Sequence, residues 1–315
     1  MMDLELPLVS IALCTYNGQT YLREQLDSLI NQTYQKIEII IVDDCSADDT
    51  EKICLSYNNI KLSFHQNEMN LGYTKNFEKA ITLCKGEYIC LCDQDDIWEL
   101  DKIEQLVKNI NDSILIYHDS DFINDEGDKI GFQSMSSRYN MYQGYSALPF
   151  ILSNCISGHA AMFSIKLVPY LLPFDKRFYH DWWLAYVAFN IGSVKYLDHI
   201  LVHYRQHDLS ITDNLNLKEK RVVIEPTNRI AIDIDWVEKC SKFSANKQPQ
   251  LIKKAYKLFY DIQFGKSRLR LFLFLIHYYD QIFYIISKKK SLTSKINYAR
   301  KVAFSKKPPF YNKSS

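Results

Sequence analysis

Neither a Cys-x-x-Cys pair nor a Gly-x-Gly-x-x-Gly turn occurs in this chain. Of its eight cysteines, Cys14, Cys54, Cys84, Cys90 and Cys92 lie in apolar, periodic segments, which argues against a disulfide framework and for reduced core thiols in a cytosolic protein. The first apolar run is followed by TYNGQTYL (15–22), which lacks the glycines that bring backbone against a dinucleotide pyrophosphate, so an oxidoreductase of that kind is disfavoured. The N-terminus, MMDLELPLVSIALC, has acids where an export signal needs bases. Leu269 to Ile276 is cut off by His277, Asp280 and Gln281, well short of the roughly 20 apolar residues of a bilayer span. Charge of one sign is missing overall, with 38 Lys+Arg against 37 Asp+Glu, but the two signs are segregated. Residues 265–315 hold 12 basic residues and the single acid Asp280, leaving 26 basic and 36 acidic residues in 1–264. The front is acidic and the tail strongly basic.

At 315 residues and 47% hydrophobic, the chain can bury a large core as one large domain with an appendage, or as two domains. LVSIALC (8–14) reads as a strand, and YLREQLDSLINQ (21–32) repeats Leu22, Leu26, Leu29 and Ile30 at helical spacing. IEIIIV (37–42) is a second strand, after which Ser46 and Asp49 have the Ser-x-x-Asp spacing that opens a helix. A third strand at 60–65, a helix over 74–84 and a fourth strand, EYICLC (87–92), continue the alternation. Near-continuous apolar strands alternating with helices predict a parallel sheet covered on both faces, with ligands at the carboxyl ends of its strands. TYN, DD and DQDD stand at three such ends, so three strand ends supply one crevice.

In LCDQDDIW (91–98) the carboxylates of Asp93, Asp95 and Asp96 fall within four positions at the end of an apparently buried strand. Like charges so crowded repel one another and resist desolvation. A divalent Mg or Mn ion shared by Asp93 and Asp95, in a DxD arrangement, removes that repulsion, and such an ion completes its shell with substrate phosphates. Asp96 is expected instead to cap a helix beginning near Trp98.

VSIALCTYNGQTYLREQLDSLINQTYQKIEIIIVDDCSADDT, with NLGYTKNFEKAI, GEYICLCDQDDIW and HDWWLAY, resembles the family 2 glycosyltransferases; DQDDIW and YRQH resemble their bacterial rhamnosyltransferase-like branch. The resemblance spans residues 8–210 and implies an α/β GT-A fold, that of nucleotide-diphospho-sugar transferases. Such a fold has a mostly parallel central sheet flanked by helices, here with a C-terminal helical extension. It implies that Tyr16 stacks on the nucleobase, and that Asp44 accepts from the base imide N–H while Asp43 orients the loop. Lys75 would face the diphosphate where many relatives carry arginine, without the bidentate fork; a solvated helix lysine is the even alternative. Cys45 stands where the family usually has glycine. Asp93 would lie near ribose and metal, Asp95 would ligate the metal directly, and Arg205 and His207 would approach the diphosphate or metal from the opposite side, His207 as the metal ligand. Asp181, at the start of FYHDWWLAYVAF (178–189), is implied to be the general base. From the residues alone it equally caps a helix whose buried face is Trp182, Ala185, Tyr186 and Phe189.

ILIYHDSDFINDEGDKIG (114–131) reads as a strand and a hairpin, and the irregular stretch through 153 as the seat of acceptor specificity. His159, in NCISGHAAMFS, reads as a structural histidine beside a strand, and 214–228 as a surface linker. The expected organisation is a catalytic domain over 1–210 and a linker plus basic helical region over 211–315. The resemblance and the basic tail together imply a cytoplasmic, metal-dependent inverting transferase. It would move a sugar from a nucleotide-diphosphate sugar to a hydroxyl of a surface polysaccharide, of O-antigen or capsule type, or its lipid-linked precursor, with no nucleic-acid partner. A nucleotidyltransferase, disfavoured by the lack of a glycine-rich, lysine-bearing phosphate loop, and a noncatalytic nucleotide-sugar-binding module of the same fold stay open. Lys266, Arg268, Arg270, Lys288, Lys289 and Lys290 flank the apolar tail segment as in an interfacial helix, which predicts peripheral attachment of 265–315 to an anionic inner membrane face. Packing of the same segment as a helical hairpin on the catalytic domain is the alternative.

Overall fold

Val9–Thr15 (β1) is buried along its whole length, as a central strand covered on both faces must be. The structure is a computed structural model that describes residues 6–58, 61–207, 234–286 and 291–304. In it β1 pairs in parallel with β2 (Ile37–Asp43) and, on its other side, with a strand at Tyr88–Cys92; β3 (Leu62–Gln66) lies parallel beyond β2. The helices α1 (Leu22–Ile30), α2 (Thr50–Ser56) and α3 (Tyr73–Leu83) alternate with these strands, and Tyr88–Cys92 is β4. This half is the alternation read from the sequence. Only the start of α2 differs, with Asp49 rather than Ser46 at its N-cap, because the Ser46 hydroxyl and N–H both donate to Asp43 (2.5 and 2.9 Å) and hold the residue in the preceding loop.

The second half continues with β5 (Ile97–Trp98), α4 (Lys102–Ile110), β6 (Leu115–Ile123), β7 (Lys129–Ser134), α5 (Met135–Arg138), β8 (Ala161–Ser164), α6 (Val168–Leu171), α7 (His180–Ile191) and β9 (Val194–Arg205). It makes the sheet mixed. The order is β3-β2-β1-β4-β8-β6-β9-β5, with β7 paired to β6; β8 runs antiparallel to both β4 and β6, whereas β9 is parallel to β6. The expected hairpin is the β6–β7 turn, where Gly127 takes φ 88°, a conformation that favours glycine.

One face of the sheet is covered by α1, α2 and α4, whose Leu22, Leu26, Ile53 and Leu106 meet Ile11, Leu13, Ile39 and Ile41. The other takes α3, α7 and the C-terminal helices α8 (Ile234–Lys242), α9 (Pro249–Gln263), α10 (Arg268–His277), α11 (Tyr279–Ile282) and α12 (Leu292–Phe304). Burying one such leucine or isoleucine stabilises the fold by about 1.5–3 kcal/mol. In α7 every residue from Trp183 to Asn190 is buried, not one stripe. Its outer side is covered by the C-terminal helices, with Trp182 against Trp236 (4.9 Å) and Trp183 against Phe243 (5.3 Å), and a helix covered all round is apolar all round.

The tail residues Leu271, Phe274, Leu275, Tyr279, Ile282 and Phe283 belong to that same core, so the packed alternative describes the inner face of this region. On its outer side Leu269 and Leu273 remain 62% and 58% exposed. No helix among the described residues is long and apolar enough to cross a membrane. All eight cysteines are free thiols, and only Cys45 is exposed. The expected boundary at 210, the linker at 214–228 and residues 288–290 lie outside the described residues.

Candidate active site

The parallel strands β1, β2 and β4 end at one edge of the sheet, and each end carries polar side chains. At the end of β2, Asp43 is fully buried and accepts from the Thr15 and Ser46 hydroxyls (2.7 and 2.5 Å), the Ser46 N–H (2.9 Å) and the Gln66 amide (3.2 Å). It shapes the loop. Asp44 accepts from the N–H groups of Leu71 (2.7 Å) and Gly72 (2.8 Å) and from the Asn67 amide (2.8 Å). A carboxylate has about four lone-pair sites, so these three donors leave one unused. Between these aspartates and Ser46, Cys45 is held at φ 65°, a left-handed conformation that costs a non-glycine residue about 1–2 kcal/mol. Tyr16, after β1, is 49% exposed. Lys75, in the first turn of α3, pairs with Glu78 at 2.8 Å, and Glu78 also accepts the Phe174 N–H.

The three aspartates after β4 diverge. Asp95 Oδ2 meets His207 Nε2 at 2.9 Å, and the His207 ring packs 4.9 Å from that of Tyr21. Asp96 caps no helix: β5 follows it and α4 starts only at Lys102, because Ile97 and Trp98 first extend to pair with Val202 and His203 of β9. It is wholly buried, with one oxygen accepting the Arg205 N–H (3.1 Å) and Oδ2 left without a partner. That oxygen lies 3.8 Å from His159 Nδ1, and Asp93 Oδ2 lies 3.9 Å from the same nitrogen. The buried Lys102 Nζ donates to the His159 carbonyl (2.6 Å) and sits 3.2 Å over the Trp98 ring.

Arg205 is also fully buried. Its guanidinium donates to the Asp95 carbonyl (2.9 Å), to the Asn124 and Asp125 carbonyls (3.0 and 2.7 Å) and to Glu24 (2.6 Å), and it stacks 4.7 Å over Tyr21. The structure therefore places it behind the Asp95–Asp96 loop as a buttress rather than open to a diphosphate.

Asp181 stands in the first turn of α7, where its Oδ1 accepts the Trp182 N–H (2.6 Å). A Cβ on Gly158 would lie 3.6 Å from Leu91 and 3.7 Å from Asp181 Cβ, so Gly158 joins this helix start to β4. Burial pushes the Asp181 carboxyl up to about 6, against the N–H donors of Trp182 and Gly158. Partial burial, then Asp95 and Asp181, push the Asp93 carboxyl above the usual carboxylate range. Burial and the Lys102 charge hold His159 down to about 3, leaving a neutral imidazole, and burial lowers Lys102 itself to about 8.

Carboxylate oxygens with a neutral imidazole suit a divalent cation, and among the described residues one group meets that description. This group, Asp93, Asp96 and His159, brings one ligand-type atom from each within 4.8 Å of the others. Its Asp96 and His159 are closed to solvent (0% and 4%) and stand beside the Lys102 charge. Of the ligands expected from the sequence, Asp95 lies close enough to Asp93 to raise its pKa and pairs with His207, and the three side chains are 44%, 17% and 9% exposed. The sequence reading missed the group of Asp93, Asp96 and His159. Lys102 stands in register with Leu106 on the buried side of α4, a weak signal, while nothing local marks His159 as a partner of Asp96.

The profile of glycosyl transferase family 2 matches residues 10–168, half of the chain and the half that carries all three strand-end loops. A Rickettsia typhi protein described as an uncharacterized glycosyltransferase is 32% identical over 214 residues, 66% of this chain and 66% of its own length. The chain thus spans just under two thirds of that relative. Glycosyltransferase GlyG of Streptococcus pneumoniae is 36% identical over 109 residues, 33% of this chain and 36% of its own. Among solved structures, S. aureus TarS 1–349 in complex with UDP-GlcNAc aligns with a TM-score of 0.58 at 17% identity, over 93% of this chain and 87% of that one. The mixed sheet and its flanking helices are therefore a GT-A fold. With that sheet, acids at its strand ends and the family profile running through β1, β2 and β4, the chain belongs to glycosyl transferase family 2.

Proposed function

We propose that this chain is an inverting glycosyltransferase that moves a hexosyl or deoxyhexosyl unit from a nucleotide-diphosphate sugar to a hydroxyl of a surface polysaccharide, of O-antigen or capsule type, or of its lipid-linked precursor. The observation that carries the reading is Asp181 at the start of α7, close enough to Asp93 to raise its pKa. Gly158 packs against both Leu91 of β4 and Asp181, so a candidate base and a donor-side acid stand near one another. TarS, by its description, is seen with UDP-GlcNAc, which supports a nucleotide-sugar donor for this chain too.

In this reading Tyr16 stacks on the base, Asp44 uses its remaining lone pair on the base, and Lys75 exchanges Glu78 for the diphosphate. Asp93, Asp95 and His207 would hold Mg or Mn, whose charge would offset that developing on the departing nucleoside diphosphate. Asp181, ionised at neutral pH, accepts the proton of the acceptor hydroxyl as that oxygen attacks the anomeric carbon. The new C–O bond forms as the bond to the diphosphate breaks, so the configuration inverts. Arg205 acts from behind by fixing the Asp95 carbonyl. Residues 1–210 carry this chemistry, and 211–315 serve the acceptor side at the cytoplasmic face of a membrane. The noncatalytic alternative is disfavoured because Asp93, Asp95 and Asp181 are all present.

The test is incubation with a panel of nucleotide sugars, reading release of free nucleoside diphosphate with and without a chelator. Chelator-sensitive release from one donor class is expected. Release unaffected by the chelator removes the metal from the reading, and no release from any donor, with or without candidate acceptor oligosaccharides, overturns it.

A further inference from the structure

Gln94 stands between Asp93 and Asp95 in the chain, yet its amide is turned to the β1 loop. Its Oε1 accepts the Tyr16 N–H at 2.8 Å and its Nε2 donates to the Tyr16 carbonyl at 3.0 Å. A single side chain thus makes the two-point bond that one strand makes on another. Gly18 leaves the space: a Cβ there would fall 2.2 Å from Gln94 Oε1 and 2.6 Å from its Cδ. The same β1 loop is fastened to the β2 loop by Asn17 N–H to the Ser46 hydroxyl, Gly18 N–H to the Thr50 hydroxyl (both 2.8 Å) and Ala47 N–H to Asn17 Oδ1 (2.9 Å). Three strand ends become one unit, and Gln94 is the part that joins β4 to it.

We propose that Gln94 is a positioning residue that fixes the separation between Tyr16 and the Asp93 and Asp95 carboxylates, and so couples nucleobase recognition to diphosphate binding. The ligand's identity rests on the transferase reading; the clip itself does not. The side-chain amide carries an acceptor oxygen and a donor nitrogen side by side, so it accepts from the N–H and donates to the C=O of one residue at once. Glutamate would face the Tyr16 carbonyl with no proton to give and would add a fourth carboxylate to the loop. A donor that touches both loops must order them on binding, and a preformed clip removes that ordering cost.

The experiment compares the wild type with Gln94→Ala, Gln94→Glu, Gly18→Ala and the Gly18→Ala/Gln94→Ala double variant. It reads calorimetric binding of UDP, GDP and dTDP in Mn2+, binding of Mn2+ alone, donor kinetics and thermal unfolding. Gln94→Ala and Gln94→Glu are expected to weaken diphosphate binding roughly tenfold. Gln94→Ala should leave binding of Mn2+ alone unchanged, and should raise donor KM while kcat holds. Gly18→Ala should match that loss, because its methyl expels the amide, and the double variant should be no worse than Gln94→Ala. Unchanged diphosphate affinity in Gln94→Ala, or losses that simply add in the double variant, overturn the proposal. A wild type that binds none of the three diphosphates contradicts the transferase reading instead. The melting temperatures then decide the clip: Gly18→Ala should lower Tm in the wild-type background and not in Gln94→Ala, and equal drops in both refute it.

Discussion

Asp181 carries two demands that pull apart, since its carboxylate must be ionised to take a proton while burial raises its pKa to about 6. Asp181→Asn keeps the size and the acceptor for the Trp182 N–H but takes no proton, so donor binding should persist while transfer falls roughly 10²-fold or more. The wild-type rate should rise with pH through about 6 and level off above it, and a pH–rate profile of the variant should lose that limb. The same carboxyl is a stability statement. A folded pKa raised above the unfolded one gives a contribution that is present below the unfolded value and lost as pH rises through about 6. The variant should therefore melt at a higher temperature than the wild type at pH 7.5 and lose that advantage at pH 4; a lower Tm at both pH values would contradict this origin of the shift. Asp93, Asp95, Asp181 and His207 stand out in the sequence because their motifs do. Lys102 does not, because a lysine in the first turn of a helix reads as solvated, whereas the nearby Trp98 ring and the His159 carbonyl from a distant segment hold its ammonium. Asp96 was misplaced because the two-residue β5 that follows it is too short to leave a period.

Three strands of the second half, β5, β6 and β9, are tied by one imidazole. His203 on β9 meets Asp121 of β6 at 2.5 Å through Nδ1 and Glu99, just beyond β5, at 2.8 Å through Nε2, and Lys129 of β7 adds its charge to Asp121 at 2.9 Å. Asp121 chiefly, then Glu99, raise the His203 pKa against the effect of burial. Because the folded value is raised, this stabilisation is complete below the unfolded histidine value and lost as pH rises through the folded one. With the cluster partly exposed, it is worth at most about 1 kcal/mol. Thermal melts across pH 5.5 to 9 should show His203→Gln losing less stability with rising pH than the wild type; parallel curves would leave the imidazole without this role. The first four strands and α1 to α3 were legible because each is a clean apolar run or stripe. The rest was less so, for β8 has four residues and runs antiparallel between β4 and β6. In α7 the stripe read from Trp182, Ala185, Tyr186 and Phe189 is only part of the buried surface, because the helix is covered from both sides.

Over the whole molecule the C-terminal helices complete the core with their inner faces and leave an apolar, basic outer side. Leu269, Leu273 and Leu292 are 62%, 58% and 70% exposed, in a region with 12 basic residues and one acid. Each such base contributes about 1 kcal/mol at an anionic surface. Removing 265–315 would tear out buried residues, so the informative change is Leu269→Gln with Leu273→Gln. Sedimentation with anionic vesicles at low salt should fall while Tm holds, and a wild type that does not sediment, or a variant that sediments equally, would remove the membrane surface from the account. The measurement that reaches the central claim is the anomeric configuration of the first-formed product, followed by proton NMR while the enzyme turns over the nucleotide sugar it accepts. A single displacement driven from Asp181 predicts a product of configuration opposite to the donor's, formed far more slowly by Asp181→Asn. A product that retains the donor's configuration would contradict it.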